Sequence, residues 1–179
     1  SRLRHHQRLH EIDQQRDAQK TVSIVGDSVP MKMVKEQIAQ FADSPVPVLI
    51  EGASGTGKEL VAYSLHKYSQ RSNKSLIKIN CAALPPTLVE AELFGREKGA
   101  YTGAEKDRAG YLEYTDKVTL FLDEIGLLPL EVQGKLLRFL QDGRYLKLGT
   151  SADTHADVRF VAATNTDLEN RMRHRQFRK

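Results

Sequence analysis

After a short apolar stretch at residues 22–25 that ends at Gly26, four apolar runs punctuate the chain: residues 46–50, 76–81, 118–122 and 158–164. Each is bounded by polar or turn-forming residues and is too short for a helix, so each reads as a buried strand. Between them the apolar positions change to helical spacing. Met31, Val34, Ile38 and Phe41 share one face of a helix that Asp27 or Ser28 can cap and that Asp43-Ser44-Pro45 ends. Leu60, Val61 and Leu65 mark a second helix. Leu88, Ala91, Leu93 and Phe94 mark a third, opened by Pro85-Pro86 and closed by Gly95. Leu130, Val132, Leu136, Leu137 and Leu140 mark a fourth after Pro129. Residues 144–149 read as a small hairpin arm. Strands alternating with helices predict an α/β domain with a mainly parallel sheet covered on both faces.

Two intervals break this rhythm. Residues 1–20 are polar and charged, with Leu3, Leu9 and Ile12 as their only large apolar side chains. His5, His6 and His10 have spacings a metal could use, but no cysteine accompanies them, and a solvated linker is the reading adopted. Residues 95–110 hold four glycines and little to bury. A loop of that length inside a compact domain points to function.

The chemistry gathers where apolar strands end. The first run leads into Gly52-Ala53-Ser54-Gly55-Thr56-Gly57-Lys58-Glu59, which opens the second helix. Strand, glycine-rich turn and helix are the context in which G-x-x-x-x-G-K binds phosphate. Inward-facing amides and the helix N-terminus receive the anion, and Lys58 reaches the β- and γ-phosphates. Glu59 stands where the strict motif has a hydroxyl for Mg²⁺. The third run ends in Asp123-Glu124. Open α/β sheets bind ligands at the carboxyl ends of their strands, so Asp123 is assigned to Mg²⁺ and Glu124 to polarising a water against the γ-phosphate. An acidic helix cap before Leu127 is the alternative. Asn80 and Asn165 end the second and fourth runs; either can orient Glu124, or be an ordinary turn residue.

Composition adds bounds rather than direction. The 179 residues fit one domain, 40% hydrophobic and 28% charged, which is a globular balance. No apolar run reaches the roughly 20 residues of a membrane helix, and the N-terminus lacks the apolar segment of a signal peptide. The single Cys81 suits a reducing cytoplasm. A net charge of +4 permits a nucleic-acid partner without arguing for one.

Together with Gly99-Ala100-Tyr101-Thr102-Gly103-Ala104, these stretches resemble the AAA+ domain of sigma-54-dependent transcription activators, the bacterial enhancer-binding proteins. Ile79-Asn80-Cys81-Ala82-Ala83, Glu92-Leu93-Phe94-Gly95, Lys135-Leu136-Leu137-Arg138 and Ala162-Ala163-Thr164-Asn165 extend the resemblance, which runs from about Val25 to the end. It implies a P-loop NTPase of AAA+ type: a three-layer αβα sandwich on a mainly parallel five-stranded sheet. It implies ATP and Mg²⁺, a ring of subunits (a hexamer in the family), and sigma-54 of RNA polymerase as the partner. Residues 52–59 become the nucleotide site, with Glu59 usual after the lysine, and Asp123 and Glu124 the Walker B pair. Asn80 becomes a switch residue on the catalytic glutamate, and Thr164 and Asn165 the sensor I segment. Gly99, Ala100, Tyr101, Thr102, Gly103 and Ala104 become the loop that grips the sigma factor, supported by a neighbouring insertion at residues 144–155. Arg178 aligns with the first of two arginine fingers offered across a subunit boundary.

Three departures qualify this. Tyr101 replaces the usual Phe, Ala53 replaces a frequent Glu, and the chain stops at Lys179. The expected organisation is a linker at 1–20 and the nucleotide-binding subdomain at 21–179. A second arginine finger, a helical lid with its sensor II arginine and a DNA-binding helix-turn-helix are expected in the rest of the parent protein. Arg171, Arg173, Arg175 and Arg178 are read as a helix and finger segment rather than a nucleic-acid patch. A nucleotide-gated repressor module and a ring ATPase for another target are the rivals; the loop motif argues against the first, and nothing in the sequence favours the second. The fragment by itself is expected to hydrolyse ATP weakly.

Overall fold

A computed structural model describes residues 23–100, 106–114 and 117–178. Ser28 proves to be the cap of helix α1 (Val29–Phe41), its Oγ accepting the Met31 N–H at 3.4 Å. Strand β1 (Val48–Glu51) leads through the glycine-rich turn to α2 (Lys58–Lys67). Strand β2 (Leu76–Asn80) precedes α3 (Pro86–Phe94), which stops at Gly95 with φ of 83°. Strand β3 (Thr119–Asp123), a short 3-10 turn (Ile125–Leu127) and α4 (Leu130–Asp142) follow. Then come β4 (Arg144–Leu146), β5 (Asp153–His155), β6 (Arg159–Thr164) and α5 (Leu168–Arg173).

The central sheet is wholly parallel in the order β1-β6-β3-β2. It corrects one expectation: among the described residues the sheet has four strands, not five. The runs at 46–50, 76–81, 118–122 and 158–164 provide these four, and the strand-like segment β4 pairs antiparallel with β5 in a separate hairpin. Tyr145 explains that separation. It is buried between Phe94 and Phe139, with ring centroids at 6.0 and 5.9 Å, so the arm packs on α3 and α4 and leaves the sheet edge alone.

Alternation along each strand divides the core in two. Ile77, Ile79, Leu120, Leu122, Phe160 and Ala162 face α3 and α4 and pack with Val89, Leu93, Val132, Leu136 and Phe139. Leu76, Phe121, Val161 and Ala163 face α1 and α2 and pack with Ile38, Ala62, Tyr63 and Leu65. Helices cover both faces of the sheet, giving three layers. Strand β6 is buried at every position, as a central strand of such a sheet must be.

At the amino ends of the strands a buried arginine joins the layers. Arg159 donates from Nη2 to the Phe41 carbonyl at 2.6 Å and from Nη1 to the carbonyls of Ala42 and Leu65, the latter at 3.1 Å. Burial lowers its pKa, the neighbouring Arg71 acts the same way, and Asp43 opposes them. The last turns of α1 and α2, whose carbonyls lack intrahelical donors, are thereby tied to the start of β6.

Candidate nucleotide site

Because the four strands are parallel, their carboxyl ends lie along one edge, and the phosphate loop, the acidic pair and the two asparagines stand there. β1 runs into the phosphate loop, β6 into Thr164 and Asn165, β3 into Asp123 and Glu124, and β2 into Asn80. Register fixes the neighbours: Glu51 is paired with Thr164, and Asn80 with Asp123. The Gly52 N–H reaches the Thr164 carbonyl at 3.2 Å, tying the loop's first residue to the end of β6.

The loop is built on glycine where glycine is needed. Gly55 and Gly57 have φ of 77° and 89°, a region that side-chain-bearing residues rarely adopt. A Cβ on Gly52 would fall 2.9 Å from the Thr56 hydroxyl, which is itself bonded to the Ala53 carbonyl at 2.8 Å. The Lys58 ammonium lies over the same turn, 2.9 and 3.0 Å from the carbonyls of Gly52 and Ala53. Gly57 opens α2 with no side-chain cap. The first-turn amides, including those of Lys58 and Glu59, have no intrahelical acceptor, and that is the donor set an anion requires. The Glu59 carboxylate is 2.6 Å from the Lys78 ammonium on β2.

The acidic pair is held by backbone. Asp123 Oδ1 accepts the Glu124 N–H at 3.1 Å, and the Asp123 carbonyl accepts the Cys81 N–H at 2.9 Å. Glu124 has φ of 56°, left-handed for a residue that prefers otherwise. It stands at the start of the 3-10 turn without making a side-chain cap, so the acidic-cap alternative fails. Its Oε2 instead accepts the backbone N–H of Asn165 at 3.2 Å. Beneath it Thr164 is fully buried and its hydroxyl accepts the Thr166 N–H at 3.0 Å. Cys81, buried under the pair, has its thiol pKa pushed up to about 12, chiefly by burial and then by the charges of Asp123 and Glu124.

Three of the assigned residues have these partners within the chain. Asn165 meets Glu124 through its main chain, while its side-chain oxygen accepts from the Thr166 hydroxyl at 3.2 Å. The Asn80 side chain accepts the Ala82 N–H at 2.9 Å, so in this structure it holds its own turn. Such an Asx-type bond is the usual competitor for an asparagine at a strand end. Arg178 is not brought to the carboxylates of its own chain. It lies along α4, its N–H on Gln133 Oε1 at 2.8 Å and its Nε on the Leu130 carbonyl at 3.1 Å. Arg171 went unrecognised in the basic cluster: its Nη1 holds the Gly126 carbonyl at 2.7 Å, bracing the turn that carries Glu124.

Of the surface-loop motif, Gly99 and Ala100 are described, and residues 101–104 lie outside the described residues. The loop's neck is clear. Arg96 and Arg108 exchange backbone hydrogen bonds at 2.7 and 2.8 Å. Leu148, in the hairpin connection, donates to the Gly95 carbonyl at 3.0 Å and accepts from Glu97 at 2.9 Å. Ion pairs Arg108–Glu92 (2.5 Å) and Lys147–Glu113 (2.7 Å) flank it. The two insertions therefore meet at their roots. Among the described residues no cluster of three or more metal-ligating side chains exists, and no helix is long and apolar enough to cross a membrane. A groove of about 380 Å³ between Pro45, Pro47, Phe139 and Phe160 lies at the opposite end of the strands from this site.

Comparison with known proteins bears on both fold and site. The family described as Sigma-54 interaction domain matches residues 24–179. The DNA-binding transcriptional regulator NtrC of Escherichia coli is 49% identical over 158 residues, which are 88% of this chain and 34% of that protein. The formate hydrogenlyase transcriptional activator FhlA of the same organism is 48% identical over 155 residues, 87% of this chain and 22% of that one. The crystal structure of Brucella abortus NtrX in complex with ATP superposes with a TM-score of 0.81 at 33% identity, over 90% of this chain and 35% of that one. A P-loop NTPase domain of a sigma-54 activator from E. coli, at 17% identity and a TM-score of 0.54, shares the fold. The architecture is that of an AAA+ P-loop NTPase. The chain spans about a fifth to a third of the length of these curated relatives.

Proposed function

The chain belongs to the sigma-54 interaction domain family, and from that premise we propose that it is the ATP-hydrolysing module of a sigma-54-dependent transcription activator. In this reading residues 21–179 form its nucleotide-binding subdomain, and residues 1–20 link it to an upstream regulatory domain. One observation carries the reading: a glutamate in left-handed backbone, Glu124, aimed by the Asn165 N–H at the strand edge where the phosphate loop begins.

The residues suit the nucleotide. The uncapped start of α2, the glycine turn and Lys58 offer donors and charge to a triphosphate. Asp123, a carboxylate at a strand end, suits Mg²⁺, which ordinarily takes one or two carboxylates and completes its shell with phosphates and water. The metal, when bound, would offset charge on the phosphates. Glu124 acts as general base, accepting the proton of the attacking water while Asn165 keeps its carboxylate turned to the strand edge. Asn80 is assigned to restraining Glu124 in another state of the cycle.

Arg178, exposed and lying on α4, is assigned to the site of a neighbouring subunit in a ring, a hexamer by family precedent. Arginines supplied in this way contribute about 10³–10⁵ in rate. Residues 99–104 contact sigma-54, and hydrolysis moves them so that the closed polymerase–promoter complex is remodelled. Promoter DNA is read by another domain of the parent protein. A buried lone cysteine and the absence of a membrane-length helix among the described residues agree with a cytoplasmic protein. Residues 1–179 alone turn ATP over slowly, at a rate that rises with protein concentration.

The test mixes the parent protein with purified sigma-54 and ADP–aluminium fluoride, with Tyr101→Ala and Thr102→Ala alongside. A stable complex is expected, lost in either variant. ATP hydrolysis without any complex would leave a ring ATPase whose target lies elsewhere.

A further inference from the structure

Glu59 poses an electrostatic problem that the phosphate-loop motif does not resolve. A carboxylate in the first turn of a helix is favourable to the helix itself. Here, however, the same helix start has to receive a nucleoside triphosphate. Two anions would compete for one set of amides, and Glu59 follows directly on the lysine that should meet the phosphates.

The structure contains a compensating cation. Leu76 packs on the α2 face of the sheet, and strand alternation brings Lys78 and Asn80 to that same face. The Lys78 ammonium meets Glu59 Oε2 at 2.6 Å, 19 residues away in the chain. Side-chain exposures of 28% for Lys78 and 58% for Glu59 mean that the pair is open to solvent and contributes little to stability. Its value has to be sought in what it does to a ligand.

We propose that Lys78 is a positioning residue for nucleotide binding. It draws the Glu59 carboxylate toward β2 and cancels its charge, so that Lys58 faces the β- and γ-phosphates without a competing anion beside it. This inference rests on the nucleotide reading above. It adds to that reading a residue outside the loop, and it makes the pair more important for ATP than for ADP, because the γ-phosphate adds charge.

The test is a double-variant cycle in the parent protein. Equilibrium affinities for fluorescent methylanthraniloyl-ATP and -ADP are measured with Mg²⁺ at about 0.1 M and about 0.5 M salt. Lys78→Met is expected to weaken ATP binding about five- to tenfold, the scale of one uncompensated charge near the phosphates, and ADP binding less. Glu59→Gln, which removes the carboxylate's charge from beside the phosphates, is expected to tighten ATP binding a few-fold. The double variant should return to within about twofold of wild type, Lys78→Arg should bind like wild type, and every difference should shrink at the higher salt. Thermal midpoints should stay together throughout, which a merely structural role would not predict.

Single variants that move affinity in the same direction, or a double variant as weak as Lys78→Met, would overturn the proposal. A Glu59→Gln variant that weakens binding and loses Mg²⁺ dependence would also overturn it, by making Glu59 a metal ligand. A wild-type protein that binds neither nucleotide would remove the functional reading itself and this inference with it.

Discussion

Glu124 concentrates the argument at the scale of single residues. Left-handed backbone at a non-glycine position costs on the order of 1–3 kcal/mol and persists where surrounding structure imposes it. Here the surroundings are Asp123 Oδ1 on one side and the Asn165 N–H on the other. Two substitutions separate chemistry from strain. Glu124→Gln should retain ATP binding and lose hydrolysis by about 10²–10⁴-fold. Glu124→Gly should lose hydrolysis equally and yet raise the urea midpoint, by the equivalent of about 1 kcal/mol, because glycine accepts this φ freely. Equal stability of the two variants would show that the backbone is unstrained. The Asp123-Glu124 pair was legible in the sequence because a wholly apolar strand delivers it. The hydrogen bonds of Asn80 and Asn165 were not. Both asparagines end strands, and only the fold shows one folded onto its own turn and the other approached through its main chain.

Elements tell a similar story at the loop neck. Gly95 ends α3 and Gly110 lets the chain return, and the two backbones meet so closely that a Cβ on Gly110 would lie 2.3 Å from the Gly95 nitrogen and 2.5 Å from the Leu93 carbonyl. No side chain can be fitted without moving one strand of the neck. Gly110→Ala should therefore cost about 2–4 kcal/mol. Hydrogen exchange should show the loss at Arg96, Arg108 and Leu148, whose backbone bonds close the neck, and not in β3 or β6. Uniform loss across the sheet would contradict a local role. The sequence marked residues 95–110 as a glycine-rich excursion, but composition alone cannot show that two glycines fifteen positions apart touch. The same limit hid the Glu59–Lys78 pair, since period and motif describe neighbours along the chain and not partners across α2 and β2.

For the whole molecule, the decisive contact is Arg159. A lysine or arginine inside an apolar run would ordinarily count against a buried strand, yet its fork satisfies carbonyls from the ends of α1 and α2 at once. Arg159→Met should take the guanidinium donor from the buried Ala42 and Leu65 carbonyls and cost about 3–5 kcal/mol, read as a shift in urea midpoint. A change below about 0.5 kcal/mol would mean the helices are held by apolar packing alone. The three-layer arrangement itself was readable, because each apolar run is a strand and each intervening periodic segment a helix. The fifth strand came only from the resemblance, and none of the described residues adds it to the central sheet.

The closed neck has a consequence for how such a protein can change over generations. A segment that leaves and re-enters the domain through one pair of hydrogen-bonded residues, Arg96 and Arg108, is joined to the core as a cassette is joined to its holder. Substitutions between those two residues change what the cassette presents without altering the spacing of its ends. The first of those ends follows directly on α3, and the bridge between them lies outside the strands of the central sheet. The eleven positions between Arg96 and Arg108 can therefore vary while the phosphate loop and the Asp123-Glu124 pair, which lie outside the segment, keep their residues.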